Sequence, residues 1–202
     1  MTRLGWPVVA LAAIAIAPLA AQEIGAPAPN EYGRAQKLEV QPFETGNKQI
    51  RLEFPKKDWD VVPANSAPVS VPGVTWPIVS IVQKRRDAAI VVEGVRLHQP
   101  LAQDDITDLF GELESSAIRE RQSLAKDLQA KVVQAGGRRL VIVTYNRPGT
   151  AGAERVRQYT IPGGGADLYR LTCSATTAQF ARYEAVFAHV AASFTVAGGG
   201  TQ

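Results

Sequence analysis

Three runs near the carboxyl end limit the fold more than any other feature. "RRLVIVTYN" (138–146), "ERVRQYTI" (154–161) and "DLYRLTCSA" (167–175) read as strands, and only "RPGTAGA" and "PGGGA" separate them. Connections this short and this rich in glycine suit hairpins, so neighbouring strands pair antiparallel. The same pattern occurs upstream. "KQIRLEF" places Ile50, Leu52 and Phe54 on alternate positions, the period of a half-buried strand. "TWPIVSIVQ" (75–83) and "AAIVVEGVRLH" (88–98) form a second hairpin around the charged turn "KRRD". Between these runs, "PKKDWDVVP" reads as a turn that brings Trp59 and Val61 inward. The proline-dotted segment 62–73 reads as loop, because proline cannot donate to a ladder.

Two segments carry a helical period. From Asp104 or Asp105, either of which can cap, Ile106, Leu109, Phe110, Leu113, Ala117, Leu124 and Leu128 recur on one face; "AGG" at 135–137 ends the run. This predicts a long amphipathic helix. Near the end, Phe180, Tyr183, Phe187 and Val190 form a second stripe, and Thr176 precedes Gln179 with the spacing of a capping box. Each of these aromatics, once buried, contributes about 1.5–3 kcal/mol. The predicted order is β-β-β-α-β-β-β-α. Its class is α+β, a mostly antiparallel sheet of about six strands sandwiched by helices.

The amino terminus has the layout of a secretory signal peptide: Arg3, an apolar run from about Val8 to Ala17, then Ala20 and Ala21. The run is shorter than the roughly 20 residues a spanning helix needs. The expected organisation is a signal peptide over 1–21, a flexible arm over 22–42, one domain over 43–197 and a disordered tail over 198–202. A periplasmic or secreted location follows, with no membrane span once the signal is removed. A single cysteine, Cys173, cannot form an intramolecular disulfide, so the domain must hold together by burial. The 22 basic and 19 acidic residues nearly balance, and the densest basic run, "QKRRD", falls on a turn. A nucleic-acid partner is not expected.

The search for chemistry ends without a site: no catalytic, cofactor-binding or metal-binding residue is assigned, and no cofactor is expected. Alternation places Cys173 on a strand face with Tyr169 and Leu171, where a thiol is core filling; a nucleophile would need a neighbouring base or cation. His189 lies on the following helix with no spacing that points it at the thiol. His98 and His189 are too few for a histidine metal site, and "HQPLAQDD" is more simply a connection capped by Asp104 and Asp105. Ser123 and Lys126 match S-x-x-K without companion motifs. The glycines of "PGGGA" precede a strand, whereas a phosphate loop follows one. Asp58 and Asp60 flank Trp59 as solvated carboxylates sharing a face, with Trp59 pointing inward.

Taken together, "FPKKDW", "DLYRLTCSAT" and "FARYEAVFAHVAASF" resemble the PsbP-like family, which includes DcrB-like envelope proteins. The residues that carry the likeness are Tyr169, Leu171, Thr172, Phe180, Tyr183, Ser193 and Phe194. The resemblance implies a central antiparallel sheet between helices. It also implies non-catalytic work, assembling or steadying partners in or beside a membrane, and transfers no residue-level site. The leading expectation is therefore an exported accessory protein acting on an envelope or membrane-protein partner. The alternatives are a carrier of a small apolar or lipid ligand, lined by Trp59, Trp76, Tyr145 and Tyr159, and then a hydrolase without a recognisable motif.

Overall fold

A computed structural model of the chain describes residues 22–23, 38–64, 71–100, 126–135, 138–150 and 152–197. The expected signal peptide, the tail and most of the expected arm lie outside them. The described strands are β1 (Gln22–Glu23), β2 (Val40–Glu44), β3 (Ile50–Pro55), β4 (Trp59–Pro63), β5 (Thr75–Gln83), β6 (Ala88–Arg96), β7 (Lys126–Ala135), β8 (Arg138–Gly149), β9 (Gly152–Gly164), β10 (Asp167–Thr176) and β11 (Thr195–Val196). One helix, α1 (Phe180–Ser193), is described. An eight-stranded sheet runs β1-β7-β8-β9-β10-β6-β5-β4, and a three-stranded sheet runs β11-β3-β2. Every pairing is antiparallel except that of β1 with β7.

The antiparallel α+β character matches the sequence reading; the strand count does not, and of the two predicted helices only the second lies wholly within the described residues. The prediction had about six strands in one sheet and two helices. β7 occupies the end of the predicted first helix, and residues 101–125 lie outside the described residues. Lys126–Ala135 is rich in helix formers, but it pairs with β8 from Lys126↔Asn146 to Ala135↔Arg138, and tertiary pairing outweighs propensity. β4 lies where the sequence predicts turn and loop, and β2 partly where it predicts the arm. Both carry a proline and lie at sheet edges, where an amide is not needed on the open side.

One face of the large sheet holds the main core. Ile81, Ile90, Val92, Leu140, Tyr159, Ile161, Leu171 and Cys173 project to it from five strands. Onto it pack Phe180, Tyr183, Phe187 and Val190 of α1, together with Ile50, Leu52 and Phe54 of β3. The opposite face carries a second buried cluster of Val141, Val143, Tyr145, Val156 and Leu168. The predicted helix stripe is therefore correct in its residues, but the capping box is not made. Thr176 still belongs to β10, paired with Glu154, and Thr177 donates its amide and hydroxyl to the Ala153 carbonyl at 2.9 and 3.0 Å. Gln179 begins the helix without a side-chain cap.

Contacts at both of its ends fix α1 on its bed. At its start, the fully buried Tyr183 stacks edge-on against Trp59, with centroids 5.8 Å apart, and donates its hydroxyl to Asp87 Oδ1 at 2.8 Å. At its end, the Ser193 hydroxyl accepts the Glu53 amide at 2.9 Å, and Phe194 turns into the core against Tyr169. Tyr183→Phe keeps the ring and removes one hydrogen bond, so a loss of about 1 kcal/mol is expected in urea unfolding. An unchanged midpoint would show that water serves Asp87 equally well.

Candidate functional site

The sequence directs attention to Cys173, and the structure shows what surrounds it. Strand alternation puts Tyr169, Leu171, Cys173 and Ala175 on the core side of β10. Register sets Cys173 beside Arg157 of β9 and Ile90 of β6. The thiol is 0% exposed, and burial pushes its pKa far above the usual thiol range, outweighing the opposing pull of Arg157. Tyr159 is raised as well, first by burial and then by Cys173. At neutral pH both are protonated, and neither serves as a nucleophile or base.

Arg157 completes this cluster. Burial opposes its charge, but Tyr159 and Glu184 favour it more strongly, and its pKa is held above the ordinary guanidinium value. Its Nη2 lies 2.6 Å from Glu184 Oε1, and its guanidinium stands 5.3 Å from the centre of the Phe180 ring. Arg155 flanks the same ring at 5.5 Å. The two arginines thus stand over the ring that opens α1, while the ion pair to Glu184 holds the second turn. Sequence reasoning missed this arrangement. The available signal was Arg155 and Arg157 two apart on a strand that precedes an aromatic helix start.

The histidines go elsewhere. His189 is half-exposed, and its Nε2 lies 3.4 Å from Glu53 Oε2 of β3. With the thiol sealed and the imidazole facing a carboxylate, no open site holds Cys173 and His189 together. His98 is exposed beyond the end of β6. Asp58 and Asp60 are exposed, but Asp58 lies in the turn before β4 with φ of 65°, so the two do not sit on one regular strand. Trp59 is buried between them, as expected. Asp104, Asp105 and Ser123 lie outside the described residues, and Lys126 opens β7 rather than riding a helix. Among the described residues no three His, Cys, Asp or Glu side chains come together to hold a metal, and no helix is long and apolar enough to cross a membrane.

The aromatic residues considered as a ligand lining do not share one space. Trp59, Trp76 and Tyr159 belong to the main core, whereas Tyr145 belongs to the cluster on the other face. The sealed thiol leads to a direct expectation. Native protein is inert to a thiol reagent such as dithionitrobenzoate at pH 8, and one thiol per chain titrates in denaturant. Rapid labelling of native protein would contradict the burial.

No protein-family model matches the chain, and no curated protein matches it. Among solved structures it is similar to cyanobacterial PsbP (CyanoP) of Synechocystis sp. PCC 6803, with 16% identity and a TM-score of 0.55, covering 81% of this chain and 96% of that one. It is also similar to LpqN, involved in cell envelope biogenesis of Mycobacterium tuberculosis, at 17% identity and TM-score 0.49 over 84% and 99% of the two chains. A third likeness is to the Saccharomyces cerevisiae Ran-binding protein Mog1p, at 15% identity and TM-score 0.47 over 79% and 96%. The chain has a PsbP-like fold.

Proposed function

We propose that the protein is an exported, non-catalytic accessory protein that binds and steadies an envelope or membrane-protein partner. The observation that carries this reading is the disposition of its reactive groups. Cys173 and Tyr159 are sealed in the core, and Arg157 and Glu184 neutralise each other while supporting α1. Such an interior supports a rigid scaffold whose outer surface does the work. The likeness of fold to CyanoP is in keeping with it. The carrier alternative is less well supported, because Tyr159, Tyr183, Phe187 and Phe194 fill the space between sheet and helix where a ligand would sit.

Cell fractionation and in-cell photo-crosslinking test the proposal. The expected result is a processed chain beginning near Gln22 or Glu23 in the envelope fraction, crosslinked to one membrane protein whose level falls when this protein is deleted. An unprocessed cytoplasmic chain, or hydrolysis of an ester, peptide or glycoside substrate by the purified protein, would overturn it.

A further inference from the structure

Two turns far apart in sequence meet at one end of the large sheet. The turn between β3 and β4 carries Lys56, Lys57 and Asp58, and the turn between β5 and β6 carries Lys84, Arg85, Arg86 and Asp87. They are joined directly, the Lys84 amide donating to the Asp58 carbonyl at 2.9 Å. All five cations are exposed, and none forms an ion pair with a described residue. These turns also hold two carboxylates, the exposed Asp58, and Asp87, whose Oδ1 accepts the Tyr183 hydroxyl. Asp60 follows on β4. Arg155 and Arg182, at the adjoining start of α1, stand over the Phe180 and Tyr183 rings. The five turn cations outnumber the three carboxylates Asp58, Asp60 and Asp87, so these turns are net positive in a chain whose whole formal charge is +3.

The backbone adds a second observation. Arg86 has φ of 60°, the left-handed region that disfavours any residue with a Cβ and selects glycine. The Arg85 amide is anchored to the side chain of buried Gln83 at 2.5 Å, so the turn is held in shape. Arg86 thus carries its charge on a fixed turn tip whose backbone would accept glycine.

The surroundings narrow that use. The exposed large hydrophobics among the described residues are Val62, Val71 and Val74, none of them in these turns. The neighbouring rings of Trp59 and Tyr183 are buried. Among the described residues this end therefore lacks the apolar anchors of a protein interface and the exposed rings on which single-stranded nucleic acid stacks. Hydrated cations on adjacent turn tips suit a diffuse sheet of fixed negative charge, which anionic headgroups supply. We propose that this end of the sheet docks the protein onto an anionic lipid bilayer by charge alone. The proposal does not depend on the protein partner, and vesicles without protein test it by themselves.

In a sedimentation assay the full chain meets vesicles of phosphatidylcholine alone or with one-third phosphatidylglycerol. Only the anionic vesicles are expected to retain it, and salt releases it. Each cation removed weakens partitioning about fivefold, so R85Q/R86Q falls about 25-fold. Arg86→Gly falls about fivefold with an unchanged or higher melting temperature, which separates lost charge from lost folding. Equal retention on both vesicle types, or an R86G chain that binds like its parent, would overturn the proposal. So would retention on polyglutamate or an oligonucleotide with none on anionic vesicles, which would assign this end to an acidic polypeptide or a nucleic acid.

Discussion

Gly94→Ala is expected to destabilise the protein by about 3 kcal/mol, a large penalty for one added methyl group. Gly94 lies in β6 directly between Trp76 of β5 and Tyr169 of β10. A Cβ there would stand 2.1 Å from Trp76 Cε2 and Cζ2 and 2.7 Å from Nε1. Ladders on both sides of β6 fix the strand spacing, and a rigid indole cannot bend away as a flexible side chain would. The ring must leave a position where it is 3% exposed. A double-mutant cycle isolates this mechanism. In a Trp76→Ala background the same Gly94→Ala change should cost nothing, or stabilise by about 0.5–1 kcal/mol, because alanine loses less entropy than glycine in a strand. Urea midpoints of the four proteins give the coupling, and emission from Trp76 should shift to the red in Gly94→Ala alone. Simple additivity would show that the indole finds another way past the methyl.

Phe187→Ala is the second large effect, at about 3–5 kcal/mol. Phe187 is fully buried at the middle of α1, with its ring 5.5 Å from Phe180 and 6.2 Å from Tyr183. Those neighbours are themselves held, Phe180 by Arg155 and Arg157 and Tyr183 by Trp59 and Asp87. The surroundings are poorly able to collapse into the space left, which puts the cost high in its range. The melting temperature should fall by about 10 °C. Ala181→Gln, on the exposed side of the same helix, should stay within about 0.5 kcal/mol of the parent and controls for helix propensity. Equal effects at both positions would mean that α1 is not seated on the sheet as described.

How far the fold can be read ahead of the coordinates depends on how local its determinants are. The run 75–83 was recognised with its bounds because β-branched residues, a proline near the start and a charged turn all agree over one short stretch. The stripe of α1 was equally legible, since 3.6-residue spacing is written in the segment itself. Lys126–Ala135 was not. Leu128, Ala130 and Val132 alternate, but weakly, and the alanines, lysines and glutamines around them favour helix; only the pairing with β8 decides the matter. Val40–Glu44 and Trp59–Pro63 were obscured in the same way by prolines that an edge position tolerates. The burial of Cys173 was legible from alternation alone. The support of α1 by Arg157 and Glu184 was not, because it joins a strand to a helix across the sheet face. The meeting of the "PKKD" and "QKRRD" turns was hidden for a similar reason, since it depends on β4 lying beside β5.

The strand order has a bearing on when this chain can fold. Among the described strands β10 alone joins β7-β8-β9 to β6-β5-β4, and β3 acquires its β11 neighbour and its Ser193 contact from the end of the domain. A chain synthesised from its amino terminus holds isolated hairpins and an unfinished small sheet until its last strands and helix arrive. Commitment to the compact state is thereby postponed to the final stretch of synthesis.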